Sequence, residues 1–497
     1  MAELLKQQYD LIVLKVERMQ DEDSSSVDRV SMTLQVTSNR ARSEWSTSLL
    51  ADHLALEIPK RRRRGEDTPP GPTLPVTFKH ELMTSLQALD VADRTLWVHL
   101  VKPYGALRWL AWERELIPFL NMPVLMLPDF IFPPPREATR TLEVALCASA
   151  PLGWENATVH QAVNVTIQAA LLGSSRRTRV HVFADAALVP ALHAQWGSSS
   201  LSAQVVVHDP QCAAPFVQTD LGSRVVDQAG LLRSPWLLWM RDALRSRAVD
   251  VVHFCCHGHL ARDRGAMLFA QSPLDRSDEY LAGPVGAIEL QTFMTQIGAW
   301  ATAFESVPDN HSPEGLRALA DEIAQSRPGP MMLHDLGLDP DGDAIAEGYR
   351  FLFGSTPGRA PKSPALLLFC QPYLDAPDGA FGVNGVTRGG TKGQEAVDPS
   401  RPPVEIEVRN MAQAFQVAAA GRQASTDVLR QAIQNGSPWV SSTERLAEGL
   451  QLQYQSLARD GLMSDDVAAQ QADLLSDTLQ TLRGAVTTLA RERGELL

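Results

Sequence analysis

A histidine followed by a glycine, with two cysteines just before it, is the part of the sequence best equipped for chemistry. Residues 249–260 read VDVVHFCCHGHL, an apolar run that ends in Cys255, Cys256, His257 and Gly258. An imidazole can take a proton from a thiol or a hydroxyl and so create a nucleophile. A glycine lets the backbone approach a ligand closely, so the Gly258 N–H could donate to an oxyanion. The segment therefore indicates a histidine that a ligand can reach, with an oxyanion donor beside it, although a strand can end in His-Gly for other reasons.

The apolar residues before His257 predict a buried β-strand with the histidine at its carboxyl end. Parallel α/β sheets bind ligands in the crevice at the carboxyl ends of their strands, so a ligand would reach His257 there. Because side chains alternate along a strand, Cys255 would share the face of His257 about 6–7 Å below it, and Cys256 would point to the opposite face. His253 lies well inside the strand and is interpreted as a core histidine.

The His-Gly segment resembles the corresponding motif of CHAT domains, which belong to the caspase–separase group of cysteine peptidases. Upstream, residues 102–113 (KPYGALRWLAWE) look like that family's P-D-G-x-L-x-x-L-P-W-E element, with Tyr104 replacing the usual acid and Ala111 the usual proline. The resemblance covers about residues 95–375. Further segments resemble the strand after this element, the closing helices and the final strand of the family: residues 124–129, 315–320, 344–353 and 363–369.

The resemblance implies a caspase-like α/β domain whose substrate or partner is a protein or a peptide. Active CHAT proteins cleave proteins, and the family occurs in bacterial signalling and defence systems. Its nucleophilic cysteine ends the next strand, in a pattern like L-x-A-C-x-S/T. The matching residues here are 299–306 (AWATAFES), which place Phe304 at the cysteine position, at a spacing from His257 that suits the family.

Phenylalanine has no group that can attack a carbonyl carbon. We therefore expect Phe304 to face His257 across two adjacent strands, and the protein to be a catalytically impaired interaction module. An alternative is an active peptidase with a displaced nucleophile, either Cys255, Cys256 or Ser306, which lies two residues beyond the expected position. The competing interpretation of both cysteines is that they are ordinary core residues.

Polar residues at the ends of neighbouring strands are expected to line the crevice beside His257. They are Glu305, which follows Phe304, and the pair His334 and Asp335, which follows a predicted strand. Substrate or partner contact is one interpretation of these residues, and a polar strand end is the other.

Cys255, Cys256, His257 and His259 lie close together in the sequence, and residues of these types can bind a metal ion. Successive residues of a strand point to opposite faces, so adjacent residues rarely converge on one ion. We predict neither a metal site nor a cofactor.

Strands that alternate with helices must position these residues. This alternation predicts an α/β fold with a mainly parallel sheet and helices on both faces. Apolar runs predict strands at residues 96–101, 141–147, 179–184, 203–208, 249–255, 299–304, 330–333 and 365–370. Helices are predicted at residues 77–89, 158–172, 187–195, 234–246, 313–325 and 343–352.

The flanking regions differ from this α/β domain. Residues 1–94 predict a β-rich extension that contains a basic loop at 60–64, and residues 376–404 predict a linker rich in Gly, Asp and Pro. Residues 405–497 predict helices, and apolar residues at heptad spacing over 465–495 are typical of a coiled coil. These helices either fold into an antiparallel hairpin, or they bind a partner, self-associate or join a larger assembly.

The composition excludes some classes of function. The 497 residues carry a net charge of −13, which argues against general nucleic-acid binding because that needs a basic surface. No apolar run approaches the roughly 18 residues that span a bilayer, so no membrane association is predicted. The five cysteines are an odd number and do not suit a secreted disulfide framework. We expect a reduced, cytoplasmic protein.

Overall fold

The computed structural model describes residues 11–372 except 20–28, 38–41, 51–53, 55–72, 89–90, 92–93, 103, 129–140, 151–155, 198–200, 202, 218–231, 245–248, 262–263, 275–281, 309–311, 327–328 and 355–358. The predicted basic loop, linker and heptad helices lie outside the described residues. No described helix has the length and hydropathy that crossing a bilayer requires.

Fourteen strands in the described part of the chain form the centre of the molecule. They are β1 Ile12–Met19, β2 Arg29–Thr37, β3 Arg42–Leu50, β4 Leu96–Val101, β5 Val124–Met126, β6 Thr141–Ala148, β7 Arg177–Ala184, β8 Val205–Val207, β9 Val251–Ala261, β10 Arg264–Ala270, β11 Ala282–Gly286, β12 Ala301–Ser306, β13 Met331–Asp335 and β14 Leu366–Phe369. Twelve of these strands pair in the order β3-β2-β1-β4-β5-β14-β13-β12-β9-β6-β7-β8, and β10 and β11 extend β9 as antiparallel partners.

Helices cover both faces of this sheet. They are α1 Val76–Ala88, α2 Trp112–Leu120, α3 Asn156–Gly173, α4 Val189–Trp196, α5 Pro235–Leu244, α6 Ala287–Gln296, α7 Pro313–Ala324 and α8 Asp343–Phe353, with 3-10 helices at Gly105–Trp109 and Pro210–Phe216. One hydrophobic core lies between the sheet and α1, α2, α5, α6 and α7. A second core lies between the opposite face and α3, α4 and α8. The predicted α/β class, with a mainly parallel sheet between helices, is confirmed.

Apart from the antiparallel strands β2 and β3 at one edge, this twelve-strand order contains two parallel blocks that run in opposite directions. β1, β4, β5 and β14 are parallel to one another. β13, β12, β9, β6, β7 and β8 form the second parallel block. The blocks meet where β13 and β14 pair antiparallel. The predicted site lies on the second block, at the edge formed by the carboxyl ends of β9, β12 and β13.

Strand ends differ from the prediction at the site. β12 continues to Ser306 and β13 to Asp335, two residues further in each case, and β9 continues to Ala261. The polar residues Glu305 and His334 signalled a strand end in the sequence. They remain inside the strands because they sit side by side in the register and satisfy each other.

Candidate functional site

His257 stands where β9 leaves the parallel sheet. The last residues of β12 and β6 that pair with β9 lie opposite Cys256 and Cys255, respectively. From His257 onward β9 pairs with β10 instead, with Leu268 directly across from the histidine. The His257 side chain is buried, with 1% of its surface exposed. The histidine therefore lies at the carboxyl edge of the sheet, the position that the sequence predicts, but beneath the surface.

The expected pairing of His257 with Phe304 is wrong. Phe304 lies beside Phe254, three residues before His257, and the two ring centroids are 5.9 Å apart. Phe304 packs in the core next to α7, together with Cys256 and Leu316. Alternation along β9 places His257 on the other face of the sheet, the face of Cys255. The error arose because Phe304 is two residues inside β12 and not at its end.

The cysteines near His257 are interior residues. Cys255 and Cys256 are fully buried and belong to the two different cores, as alternation predicts. Burial raises the pKa of both thiols, and the charge of Glu305 raises that of Cys255 further. Thiolate is the reactive form of cysteine, so both are poor nucleophiles in this environment. Among the five cysteines of the chain, Cys212 is the exposed one.

Gly258 is required for packing. A Cβ added to it would lie 2.1 Å from the carbonyl oxygen of Ser312 and 2.8 Å from the backbone nitrogen of Leu316. Gly265 and Gly315 make similarly close approaches between the β9–β10 hairpin and the first turn of α7. The glycine after His257 therefore allows α7 to lie directly on the hairpin.

The segment 102–113 anchors α7 from its other side. The Glu113 carboxylate accepts from both terminal nitrogens of Arg317, with Nη1 at 3.1 Å from Oε2, and both side chains are buried. The Tyr104 hydroxyl donates to Oδ2 of Asp321 at 2.7 Å. Burial raises the pKa of Asp321 to about 6, although the Tyr104 hydrogen bond lowers it. Tyr104 thus pairs with an acid on α7.

An ion cluster beside His257 was not predicted. His334 Nδ1 lies 2.7 and 2.8 Å from the two carboxylate oxygens of Glu305, and its Nε2 lies 2.9 Å from Oδ2 of Asp339. Burial lowers the pKa of His334, but the two carboxylates outweigh this and raise it to about 9. Burial alone raises the pKa of Glu305, but His334 and His253 lower it below its ordinary value. The cluster is therefore a histidinium held between two carboxylates.

His253 continues this polar cluster into the core. Its Nδ1 lies 2.9 Å from the Tyr349 hydroxyl of α8, and its Nε2 lies 3.7 Å from the Glu305 carboxylate. Burial lowers the pKa of His253, which keeps the ring neutral. Polar residues inside otherwise apolar strands were the feature of the sequence that could have indicated this buried cluster. Their convergence depended on the register of three strands, which the sequence does not reveal.

The predicted crevice residues fall into two groups. Glu305 and His334 are completely buried and bind each other, so they lie beneath the edge of the sheet. Asp335 is partly exposed at the edge and forms an ion pair with Arg114 of α2. Ser306, the alternative nucleophile, is the last residue of β12 and is 5% exposed. These residues therefore lie at one edge of the sheet, but Glu305, His334 and Asp335 are already engaged in hydrogen bonds or ion pairs within the fold.

The described residues contain no group of three or more His, Cys, Asp and Glu side chains arranged to hold a metal ion. No protein-family model, curated protein or solved structure matches the chain.

Proposed function

We propose that this protein is a CHAT-type, caspase-like module that binds a protein or peptide partner and does not cleave it. The proposal combines the motif resemblance with the arrangement at the carboxyl edge of β9 and β12. The resemblance is the reason for proposing a role in a bacterial signalling or defence system. Partner binding needs the shape of the caspase-like edge, whereas cleavage also needs a nucleophile that His257 can activate.

One observation carries the proposal: the position expected to hold the nucleophile is occupied by Phe304, and its ring is part of the core. The ring has no exposed surface and stacks on Phe254. No reacting group can be generated from a phenyl ring, and a scissile bond has no access to this position.

The neighbouring groups support the same conclusion. Cys255 and Cys256 are buried thiols with raised pKa values, and Gly258 is pressed against α7. An oxyanion site needs an open space about 3 Å from its donors, and the backbone of α7 occupies the space on one side of Gly258. Gly258 therefore serves the close packing of α7 on the hairpin.

Peptidase activity tests the proposal. Purified full-length protein and its His257→Ala variant would be incubated with a mixture of peptides and with a denatured protein substrate, and products would be identified by mass spectrometry. We expect both proteins to give the same background. Cleavage by the natural protein that His257→Ala abolishes would overturn the proposal.

Two further variants assign any such activity. Ser306→Ala and Cys256→Ala each remove one alternative nucleophile, and Cys212→Ser serves as the control because Cys212 is exposed and lies far along the chain from His257. Activity lost with Ser306→Ala or Cys256→Ala but kept with Cys212→Ser would identify a displaced nucleophile.

A further inference from the structure

The segment between β13 and α8 has glycines near both ends and an apolar side chain exposed between them. Gly337 is exposed, and Gly342 has a φ of +80°, a conformation that favours glycine. Leu338 has 52% of its surface exposed. We call residues 337–342 the strap. It follows the carboxyl end of β13 directly, at the edge of the sheet that carries the candidate site.

The two ends of the strap are fixed by different contacts. Before it, the buried Leu336 donates its N–H to the carbonyl oxygen of Ser306 at 3.1 Å. After it, α8 begins at Asp343 and packs its apolar side chains into the second core. A Cβ on Gly342 would lie 2.5 Å from Cγ1 of Val165, so this position must remain glycine.

Asp339 ties the middle of the strap to the interior. Its carboxylate lies 2.9 Å from Nε2 of His334, and it accepts from the backbone nitrogens of Ala344 at 2.9 Å and Ile345 at 3.2 Å. Backbone hydrogen bonds also tie the start of the strap to Asp335, such as Leu338 N to Asp335 O at 3.1 Å, and its end to α8. Asp339 thus makes the side-chain contact between the strap and the ring of His334.

The positive charge of His334, on the inner side of this contact, is held in place by a second partner. His334 is held on its other nitrogen by Glu305, in the middle of β12 and β13. The groups around this pair are His253 on β9 and Tyr349 on α8, and both are fully buried. Asp339 is the member of the cluster nearest the surface, since its side chain is 11% exposed while those of His334 and Glu305 are fully buried.

We propose that the strap is a lid over the edge of β12 and β13, hinged near Gly337 and Gly342 and held closed by the contact of Asp339 with His334. Opening separates Asp339 from His334 and admits water to the His334 ring and to Ser306. The lid goes beyond the proposed function, because it does not depend on whether the site binds or cleaves a partner.

Hydrogen exchange followed by mass spectrometry tests the lid in the full-length protein. Asp339→Asn weakens the tie to the charged His334, while its amide oxygen can still accept from the two N–H groups at the start of α8. We expect exchange of residues 337–345 to rise about tenfold or more, because a charge-assisted hydrogen bond is lost. Exchange in β9 and β12 should stay unchanged.

His334→Gln removes the inner half of the tie and leaves the carboxylate of Asp339 on α8, so it should open the same residues. Asp341→Asn is the control, because Asp341 is an exposed acid of the same strap. The lid is rejected if Asp339→Asn leaves the exchange of 337–345 unchanged, or if exchange rises equally in β9 and β12. If His334→Gln does not fold, the comparison of Asp339→Asn with Asp341→Asn decides the question.

Discussion

At the residue scale, Phe304 is a packed core side chain. Its ring lies against Phe254 and in the same core as Leu316. The sequence shows that a phenylalanine stands at position 304. It does not show how its ring is placed relative to His257, because that depends on where β12 ends.

The cluster around His334 makes stability depend on pH. The folded-state pKa of about 9 lies above the ordinary value of 6.5, so the stabilisation is fully present below pH 6.5 and is lost as pH rises through about 9. We expect the difference in unfolding free energy between the natural protein and His334→Gln to shrink from pH 6 to pH 10. Urea unfolding across this range measures it. A difference that stays constant would show that His334 is neutral in the folded protein.

Asp321 changes stability in the same direction but at lower pH, because its folded-state pKa of about 6 also lies above its ordinary 3.8. The folded state then favours the protonated acid, so its contribution is present at low pH and is lost as pH rises through about 6. Asp321→Asn should stabilise the protein by about 1–3 kcal/mol at pH 7.5 and change little at pH 4. Thermal unfolding of both proteins at the two pH values checks this. A destabilised variant at pH 7.5 would mean that the carboxylate is well paired.

At the element scale, α7 is the part that connects the two motifs of the sequence. Its first turn lies on the β9–β10 hairpin through Gly258, and its middle is held by Glu113 and Tyr104. Helix α7 itself was predictable, since Ser312 caps it, Pro313 begins it and its apolar residues recur on one face. Its contacts with Glu113 and Tyr104 were not predictable, because more than 200 residues separate the partners in the chain.

Replacing Gly258 tests this packing directly. Gly258→Ala places a methyl group against the backbone of Ser312 and Leu316, so we expect a loss of at least about 3 kcal/mol or failure to fold. Gly283→Ala is the matched control, because a Cβ on Gly283, also in a strand, would meet nothing within 4 Å. Chemical unfolding of both variants gives the comparison. Equal, small effects would contradict the close approach of α7.

At the scale of the whole molecule, the N-terminal strands are continuous with the sheet that carries the site. β1 pairs with β4 in parallel over six residue pairs, and its Leu14 and Val16 lie in the same core as Phe304. Alternation of apolar residues predicted strands near the N-terminus. It did not reveal that they join the sheet, because the partner strand lies about 80 residues further along the chain.

This continuity predicts that a chain of residues 95–375 will not fold alone. Removing β1 leaves the backbone edge of β4 unpaired and exposes core residues such as Leu96, Val98 and Leu100 to water, which costs stability. Circular dichroism and size-exclusion chromatography would compare residues 95–375 with residues 1–375. Cooperative unfolding of both at the same temperature would show that residues 1–94 form an independent unit.

The absence of an activated thiol beside His257 can be measured by thiol labelling of the folded Cys212→Ser variant. We expect no modification by an alkylating reagent at pH 7.5 in the folded state, because Cys147, Cys255, Cys256 and Cys370 are all buried. The same protein in urea should take up one label on each of them. Rapid modification of Cys255 or Cys256 in the folded protein, abolished by His257→Ala, would mean that His257 activates a neighbouring thiol and that the site has a nucleophile.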